Sequence, residues 1–331
     1  MKTNTASEII KFIEKHGKAR VHDLALFFQL SPVAIHKQVK KLLQEGKIEK
    51  IGRPPLVFYQ TVSANKIFQA RVIIQPEVQG EIEKNYLYIS PTGELNYGFE
   101  GFKKWVIRTK QERHLSFLAE EYVRHRKQLY KPLVKGGIIN ATKKLKATFA
   151  NVWIDGLYYL DFYSLPKFGK TKLGQLVLYA KQSQNAQLIK KIVELSSGSL
   201  KRLIKLKNIE AIAFIPHTIP RKIQFLKEYE LMLNLTLPKV EIVKAYKNNI
   251  FVAQKSLSKL EDRIINARET IFIEQKKRSY KNILLIDDAA GSGASMNETA
   301  QKLKESKIAT IAVYGFVIVG SLKGFDVISE V

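Results

Sequence analysis

Residues 282–304 read NILLIDDAAGSGASMNETAQKLK, and this stretch determines the fold predicted for the C-terminal half of the chain. Its four apolar residues predict a buried strand, and the run that follows residue 294 predicts a helix. Between strand and helix stand two acids, Asp287 and Asp288, and a loop of small residues. Such a loop lets backbone N–H groups and the positive end of a helix dipole approach a phosphate closely. The stretch therefore predicts a phosphate-binding turn.

The residues around this turn predict a parallel sheet. From about residue 152 onward, strand-like runs alternate with helical runs, which is typical of a sheet covered by helices. Ligands of such sheets bind at the carboxyl ends of the strands, where the paired acids and the loop fall. The loop has neither the spacing of a Walker loop nor the third glycine of the dinucleotide fingerprint. Acids beside a phosphate loop suit a ligand that also offers sugar hydroxyls or Mg²⁺.

Four apolar residues, two acids, two small residues and GSGAS resemble the phosphoribosyl diphosphate (PRPP) motif of type I phosphoribosyltransferases. The resemblance implies that the acids hold ribose hydroxyls, that the loop wraps the 5′-phosphate, and that Mg²⁺ comes with the ligand and has no direct protein ligands. Gly291 stands where the family commonly has threonine. The PRPP-binding residues implied in this way are Asp287, Asp288, Ala289, Ala290, Gly291, Ser292, Gly293, Ala294 and Ser295.

A second stretch, VAQKSLSKLEDRIINARETIFI, is similar to a pattern of the ComF-type, competence-associated branch of that family. The pattern is carried by Gln254, Leu257, Arg263, Asn266 and Phe272. The resemblance implies additional contacts to the ligand or its pyrophosphate from Lys181, Arg221 and Arg263. The run expected after Arg221 is replaced here by KIQFLKEYE, so the sequence departs from the family at that part of the site. For Arg263 and Asn266, an exposed helix face is the alternative interpretation.

The N-terminal residues predict three short helices followed by a hairpin. In LSPVAIHKQVKKLLQEGKI, Ser31 can cap a helix and Pro32 suits its first position. The predicted apolar stripe is Val33, Val39, Leu42 and Leu43. KIEKIGRPPLVFYQTV then reads as strand, turn and strand. The order resembles a winged helix-turn-helix domain, which implies DNA contacts from Ser31, His36, Lys37, Lys40, Lys41 and Arg53.

Charge is consistent with this interpretation. The chain has a net charge of +25, and residues 1–65 hold 11 Lys or Arg against 5 Asp or Glu. Such a balance is typical of chains that meet nucleic acid, although a lysine-rich solvated surface or a protein-binding winged domain would give the same count. The absence of cysteine excludes disulfides, thiolate zinc sites and thiol nucleophiles. Without a signal-type or membrane-spanning apolar run, we expect no membrane partner and a cytoplasmic location.

The sequence thus predicts a multidomain α/β chain with three parts. They are a winged helix (α+β) at residues 1–65, an accessory α+β connecting region at 66–150, and a phosphoribosyltransferase-like domain with a Rossmann-like parallel sheet at 151–331. Within the middle part, the residues from Trp105 to Pro132 look like one long charged helix.

From these parts we expect a DNA-binding transcriptional regulator, as a homodimer on double-stranded DNA. Its C-terminal domain would bind PRPP or a related phosphorylated metabolite as effector. The alternative is a catalytically active, ComF-like phosphoribosyltransferase with an appended DNA-binding domain. No clear aromatic hood or closing loop for a nucleobase is evident, which favours sensing without turnover. A DNA-handling protein of uptake or recombination is a third interpretation, suggested by the ComF-type resemblance alone.

Overall fold

The computed structural model of the chain describes residues 5–53, 56–61, 74–131, 134–135, 137–248, 250–274 and 278–322. The chain divides into two compact units, Met1–Ile73 and Ile74–Val331.

The described residues of the first unit form three helices and one hairpin, as the sequence predicts. Its elements are α1 (Thr5–His16), α2 (Val21–Phe28), α3 (Pro32–Gln44), β1 (Ile48–Arg53) and β2 (Leu56–Thr61). The two strands pair antiparallel, with Ile48 opposite Thr61. A short bridge between Ala19 and Tyr59 ties the segment before α2 to the hairpin. One apolar core, which includes Ile9, Leu24 and Ile35, holds these elements together.

Helix α3 begins where the sequence predicts, but its buried face differs from the predicted one. Ser31 accepts a hydrogen bond from the backbone N–H of Ala34 at 3.2 Å, and Pro32 occupies the first turn. The prediction that Val33 belongs to the apolar stripe is wrong, because its side chain is 78% exposed while Ile35 is fully buried. Residue 33 lies on the first turn, ahead of the repeat at residues 35, 39 and 42 that faces the core.

The second unit contains the remaining helices. They are α4 (Pro76–Asn85), α5 (Gly98–Arg108), α6 (Leu115–Tyr130), α7 (Thr142–Thr148), α8 (Lys172–Gln182), α9 (Ala186–Leu206), α10 (Phe225–Leu233), α11 (Leu260–Thr270) and α12 (Ala294–Glu305). The single long helix predicted from Trp105 onward is wrong, since α5 ends at Arg108 and α6 begins only at Leu115. Lys110 adopts a left-handed conformation (φ 56°), which no continuous helix permits.

Within the described residues, the strands of the second unit form one large sheet and three small ones. They are β3 (Leu87–Ile89), β4 (Leu95–Tyr97), β5 (Val134–Lys135), β6 (Ile138–Asn140), β7 (Gly156–Phe162), β8 (Ser164–Leu165), β9 (Gly169–Lys170), β10 (Ala211–Phe214), β11 (Ile242–Lys244), β12 (Ile271–Ile273), β13 (Tyr280–Ala290) and β14 (Ala309–Gly320). The large sheet has the order β10-β13-β14-β7-β6-β5. Its first four strands run parallel, and β6 and β5 extend it antiparallel.

The parallel strands are buried on both faces, as their continuous apolar runs predict. Residues 283–286 of β13 have no exposed surface, and β14 is buried from residue 315 to its end. Two clusters of buried side chains cover the two faces of the sheet, and residues 74–150 contribute to both. The unit is therefore a mixed α/β structure around a parallel sheet. In the described part of the chain, no helix combines the length and apolarity that crossing a membrane requires.

Candidate functional site

The paired acids and the loop stand at the carboxyl end of β13, next to the centre of the sheet. Asp287 and Asp288 lie near the end of this strand, and α12 begins four residues after its last residue, Ala290. Gly293 precedes the helix with φ 79°, a conformation that side chains disfavour. The hydroxyl of Ser292 is turned inward, where it accepts a hydrogen bond from the N–H of Ala294 at 3.3 Å. The strand and helix predicted from the sequence are thus confirmed, but the two acids lie within β13 and only residues 291–293 stand between strand and helix.

Lys181, at the last turn of α8, forms an ion pair with Asp288. Its Nζ lies 2.8 Å from Asp288 Oδ2. Burial opposes the charge of this lysine, but the attraction and hydrogen bond of Asp288 outweigh it, so the pKa of Lys181 lies above its ordinary value. The carbonyl of Lys181 accepts a hydrogen bond from Arg221, in the segment after β10. Two of the predicted additional residues, Lys181 and Arg221, are therefore brought together beside the acids.

Asp287 lies in a different environment from its neighbour. Its Oδ1 accepts a hydrogen bond from the backbone N–H of Asp288 at 2.8 Å. Burial, followed by repulsion from the Asp288 carboxylate, raises the pKa of Asp287. Lys181 and then Lys244, the last residue of β11, attract the charge of Asp287 and act against this rise. Burial lowers the pKa of Lys244 to about 8, although the attraction of Asp287 acts in the opposite direction.

Lys244 is the residue of this site that the sequence analysis missed. Its Nζ donates to Thr218 Oγ1 at 2.9 Å and to Asn266 Oδ1 at 3.2 Å. One sequence feature does indicate Lys244: it ends a short apolar run, and ligands bind at the carboxyl ends of strands in such folds. Nothing local in the sequence, however, distinguishes this lysine from the many others of the chain.

Four residues of the second motif are linked by hydrogen bonds, whereas Phe272 lies on β12 and is 48% exposed. Gln254 Nε2 donates to the carbonyl of Arg263 and to Asn266 Oδ1, each at 3.0 Å. Arg263 Nε donates to the carbonyl of Leu257 at 2.8 Å. With only 4% of its surface exposed, Arg263 does not lie on an exposed helix face, so that alternative is wrong. The spacing of the motif therefore brings together residues from α11 and from the segment before it.

One cavity of about 690 Å³ joins all these groups. Its volume falls in the range of roughly 300–1,000 Å³ that small-molecule sites occupy. The wall contains seven Lys or Arg against four Asp or Glu. All residues predicted to bind PRPP line it, as do the additional ones, Lys181, Arg221 and Arg263. Such a cavity suits an anionic ligand with hydroxyl groups.

No group of three or more His, Asp or Glu that could hold a metal ion occurs within the described ranges. Asp288 is paired with Lys181, and Asp287 is attracted by Lys181 and Lys244.

In the first unit, the predicted DNA-contact residues of α3 share one exposed side of the helix. Ser31, His36, Lys37, Lys40 and Lys41 are all exposed, while Ile35, Val39 and Leu42 face the core. Strand β1 ends at Arg53, whose side chain lies outside the described residues, as do Pro54 and Pro55.

Comparisons with known proteins found only distant likenesses. No protein-family model matches the chain, and no curated protein sequence matches it. A crystal structure of adenine phosphoribosyltransferase matches over 41% of this chain and 71% of its own, with 18% identity and a TM-score of 0.27. The enzyme from Leishmania tarentolae matches over 49% and 90%, with 11% identity and a TM-score of 0.25. The enzyme from Trypanosoma brucei, in complex with AMP, pyrophosphate and ribose-5-phosphate, matches over 57% and 81%, with 15% identity and a TM-score of 0.26. At such scores, the function of the site has to be argued from its own geometry.

Proposed function

We propose that the chain is a DNA-binding transcriptional regulator whose α/β unit binds PRPP, or a related phosphorylated sugar, as its effector. The observation that carries this proposal is the single cavity in which a small-residue loop, two adjacent carboxylates and several cations meet at the end of β13. Each group suits a different part of a sugar phosphate. The loop and the start of α12 suit a phosphate, and the carboxylates suit vicinal hydroxyls.

Binding of a sugar has a defined local consequence in this proposal. An ionised carboxylate only accepts hydrogen bonds, and a protonated one can still accept through its carbonyl oxygen, so Asp287 and Asp288 would each accept one from a ribose hydroxyl. Asp288 already pairs with Lys181 at 2.8 Å. The sugar hydroxyl therefore has to share Asp288 with Lys181 or displace Lys181 from it. A released Lys181 is then available to a phosphate group of the ligand. Because α8 carries Lys181 and also packs against the sheet, ligand binding can alter the position of a whole helix.

Mg²⁺ enters the proposal as the counter-ion of the ligand's diphosphate, where it would neutralise charge. Oxygen ligands from phosphate groups and water suit this ion, which needs only one or two protein carboxylates. Asp287 and Asp288 are the carboxylates of the cavity closest to the loop. They would meet the ion through the sugar hydroxyls they bind.

The DNA half of the proposal rests on the first unit. Three helices and a hairpin, with a basic side of α3 left exposed, suit insertion of that helix into a major groove. Lys37, Lys40 and Lys41 would neutralise phosphates, and His36 would contact a phosphate or a base. Regulators of this kind read two half-sites, so the proposal includes a homodimer and an accessory role for residues 66–150.

An active phosphoribosyltransferase with an appended DNA-binding domain is the second candidate. The specific observation in its favour is Lys244, an amine with a pKa of about 8 that lines the same cavity. Such an amine can exchange protons near neutral pH, as an acid or base in catalysis must. The sensing proposal requires no proton transfer.

One experiment separates the two candidates. PRPP with Mg²⁺ is titrated calorimetrically into the protein, and pyrophosphate release is measured in the same sample with a panel of nucleobases. We expect binding without release, and loss of binding when Asp287→Asn is combined with Asp288→Asn. Base-dependent release would make the protein an enzyme, whereas no binding at all would refute both candidates.

A second experiment tests the DNA half. Replacing Lys37, Lys40 and Lys41 by alanine should abolish DNA binding and leave PRPP binding intact. In single variants, the slope of log affinity against log salt should fall by about 0.9 for each DNA phosphate that the protein no longer neutralises. Lys11→Ala with Lys15→Ala, which removes exposed lysines from α1, is the matched control and should retain DNA binding. Unchanged affinity in the triple variant would remove the role assigned to α3.

A further inference from the structure

Arg263 is a buried cation whose hydrogen-bonding capacity is only partly used. It lies on α11, it is 4% exposed, and its Nε is bound to the carbonyl of Leu257. Its Nη2 is buried and finds no hydrogen-bond partner among the described residues. Leaving such a donor unsatisfied in the interior is unfavourable, and more so when the group is charged. An anion that accepts hydrogen bonds from this Nη2 would explain why such a side chain is buried here.

The guanidinium points at the phosphate loop. A Cβ atom built on Gly291 would lie 3.1 Å from Arg263 Nη1, which is closer than ordinary van der Waals contact. Gly291 does not have the positive φ that requires glycine, unlike Gly293 two residues later. The missing side chain at residue 291 therefore provides space for the guanidinium.

Apart from Asp287, which accepts a hydrogen bond from the N–H of Asp288, the acids that line the cavity are paired with lysines. Asp288 is paired with Lys181, and the buried Glu298 accepts a hydrogen bond from Arg268 Nε at 2.8 Å. The side of Arg263 that faces the loop thus lacks an acidic partner within the described part of the chain. An anion supplied from outside would fit there.

We propose that Arg263 binds the same phosphate group as the loop of residues 291–295, and that Gly291 is the residue that admits it; this rests on the proposed binding of a sugar phosphate in the cavity. Arginine presents two parallel N–H groups that match two phosphate oxygens, which a backbone loop alone does not offer. The ligand class is a sugar that carries a phosphate monoester. Arg263 binds this monoester phosphate and does not bind a diphosphate at the other end of the sugar.

The test compares three probes on the intact chain: ribose 5-phosphate, pyrophosphate with Mg²⁺, and ribose. In Arg263→Met, affinity for ribose 5-phosphate should fall about 10- to 100-fold, because a charge-assisted hydrogen bond is lost. Affinity for pyrophosphate should not change. Added guanidinium ion at millimolar concentration should partly restore ribose 5-phosphate binding to Arg263→Ala. Arg278→Met is the matched control, since Arg278 is exposed and does not line the cavity.

Gly291→Ala tests the other partner without removing the charge. The added methyl group should press on the guanidinium and weaken ribose 5-phosphate binding several-fold, and it should have no further effect in the Arg263→Met background. If Arg263→Met fails to fold, Gly291→Ala still decides the question. Arg263→Lys, which keeps the positive charge, should then lose less affinity for ribose 5-phosphate than Arg263→Ala does. Unchanged ribose 5-phosphate affinity in a folded Gly291→Ala protein would overturn the inference.

Failure of this inference differs from failure of the proposed function. If the wild-type protein binds ribose 5-phosphate and folded Arg263→Met binds it equally well, the assignment of Arg263 is wrong and the proposed function stands. If Arg263→Met weakens only pyrophosphate binding, the guanidinium belongs to the diphosphate end and the inference is again wrong. If the wild-type protein binds no phosphorylated probe, the proposed function fails and this inference fails with it.

Discussion

Two lysines of the cavity, Lys181 and Lys244, compensate the paired acids Asp287 and Asp288 to different degrees. Lys181 is in direct contact with Asp288, so its positive charge is stabilised and its pKa is raised. Lys244 donates to neutral oxygens, and only the more distant attraction of Asp287 offsets its burial. The neutral groups do not stabilise the ammonium enough, and its pKa falls to about 8. The charge of the cavity therefore changes within an accessible pH range.

Ligand affinity should depend on this titration. Between pH 7 and 9 Lys244 loses its proton and Asp287, whose pKa is raised by burial, loses its own. Both changes make the cavity more negative, so the affinity for ribose 5-phosphate should fall by about tenfold. The ligand's phosphate, with a second pKa of about 6, is already ionised over this range. Calorimetric titration at a series of pH values measures the effect.

Two variants separate the contributions. Lys244→Arg keeps its positive charge at every pH used and should leave only the part of the dependence due to Asp287. Asp287→Asn should leave only the part due to Lys244. A wild-type affinity that does not vary between pH 7 and 9 would show that Lys244 and Asp287 do not lose their protons in this range.

Asp287 should also lower the stability of the free protein. Because its pKa is raised in the folded state, the folded chain holds this proton to higher pH than the unfolded chain does. Stability is therefore lost as the pH rises from the unfolded value of 3.8 through the folded one. Asp287→Asn should raise the free energy of unfolding at pH 8 by about 1 kcal/mol and have less effect at pH 5.

Tryptophan fluorescence during denaturant unfolding measures the stability of the structural unit that contains Asp287. Both tryptophans of the chain, Trp105 and Trp153, lie in the unit Ile74–Val331. A variant that is less stable than the wild-type protein at pH 8 would show that Asp287 is stabilised by Lys181 and Lys244 more than burial destabilises it. The same variant should bind ligand poorly, so stability and binding should change in opposite directions.

At the scale of elements, α3 depends on its first residue. Ser31 accepts a hydrogen bond from the N–H of Ala34 and so satisfies one free donor of the first turn. Ser31→Ala should lower the stability of α3 by about 1 kcal/mol, whereas Ser31→Asp should preserve the cap. Hydrogen exchange of the α3 amides measures this difference. If Asp destabilises α3 as much as Ala does, the cap is not the reason for serine at this position.

The same pair of variants tests the exposed side of α3. Ser31→Asp places a negative charge beside the phosphates that the helix is proposed to contact, so DNA affinity should fall although the helix stays intact. Ser31→Ala should reduce DNA affinity less, since it adds no charge. Equal DNA affinities for the two variants would place DNA away from the start of α3.

The elements that sequence analysis predicted well are those specified by neighbouring residues. The cap and first proline of α3, and the strand, loop and helix around residues 282–304, follow from contiguous patterns. The positions that it missed depend on contacts between distant segments. Lys244, which it missed, reaches Thr218 and Asn266, which are 26 and 22 residues away in the chain. The strands β5 and β6 join the large sheet by the same kind of long-range pairing.

At the scale of the whole molecule, the chain has one unit for each of its two proposed ligands. An effector can change DNA affinity only as far as it binds the DNA-competent arrangement and the other arrangement unequally. Thermodynamic linkage then requires the effect to be reciprocal. Coupling between two sites of this kind typically changes affinity about 5- to 150-fold.

We therefore expect saturating PRPP with Mg²⁺ to change the Kd for operator DNA by a factor within that range, and operator DNA to change the Kd for PRPP by the same factor. Fluorescence anisotropy with labelled DNA and calorimetry with PRPP measure the two sides independently. Asp287→Asn with Asp288→Asn should keep DNA affinity and lose its response to PRPP, because only the cavity is altered. The Lys37, Lys40 and Lys41 triple alanine variant should bind PRPP with the affinity of the DNA-free protein. PRPP binding that leaves DNA affinity unchanged would separate the two units functionally and favour an enzyme that carries an independent DNA-binding unit.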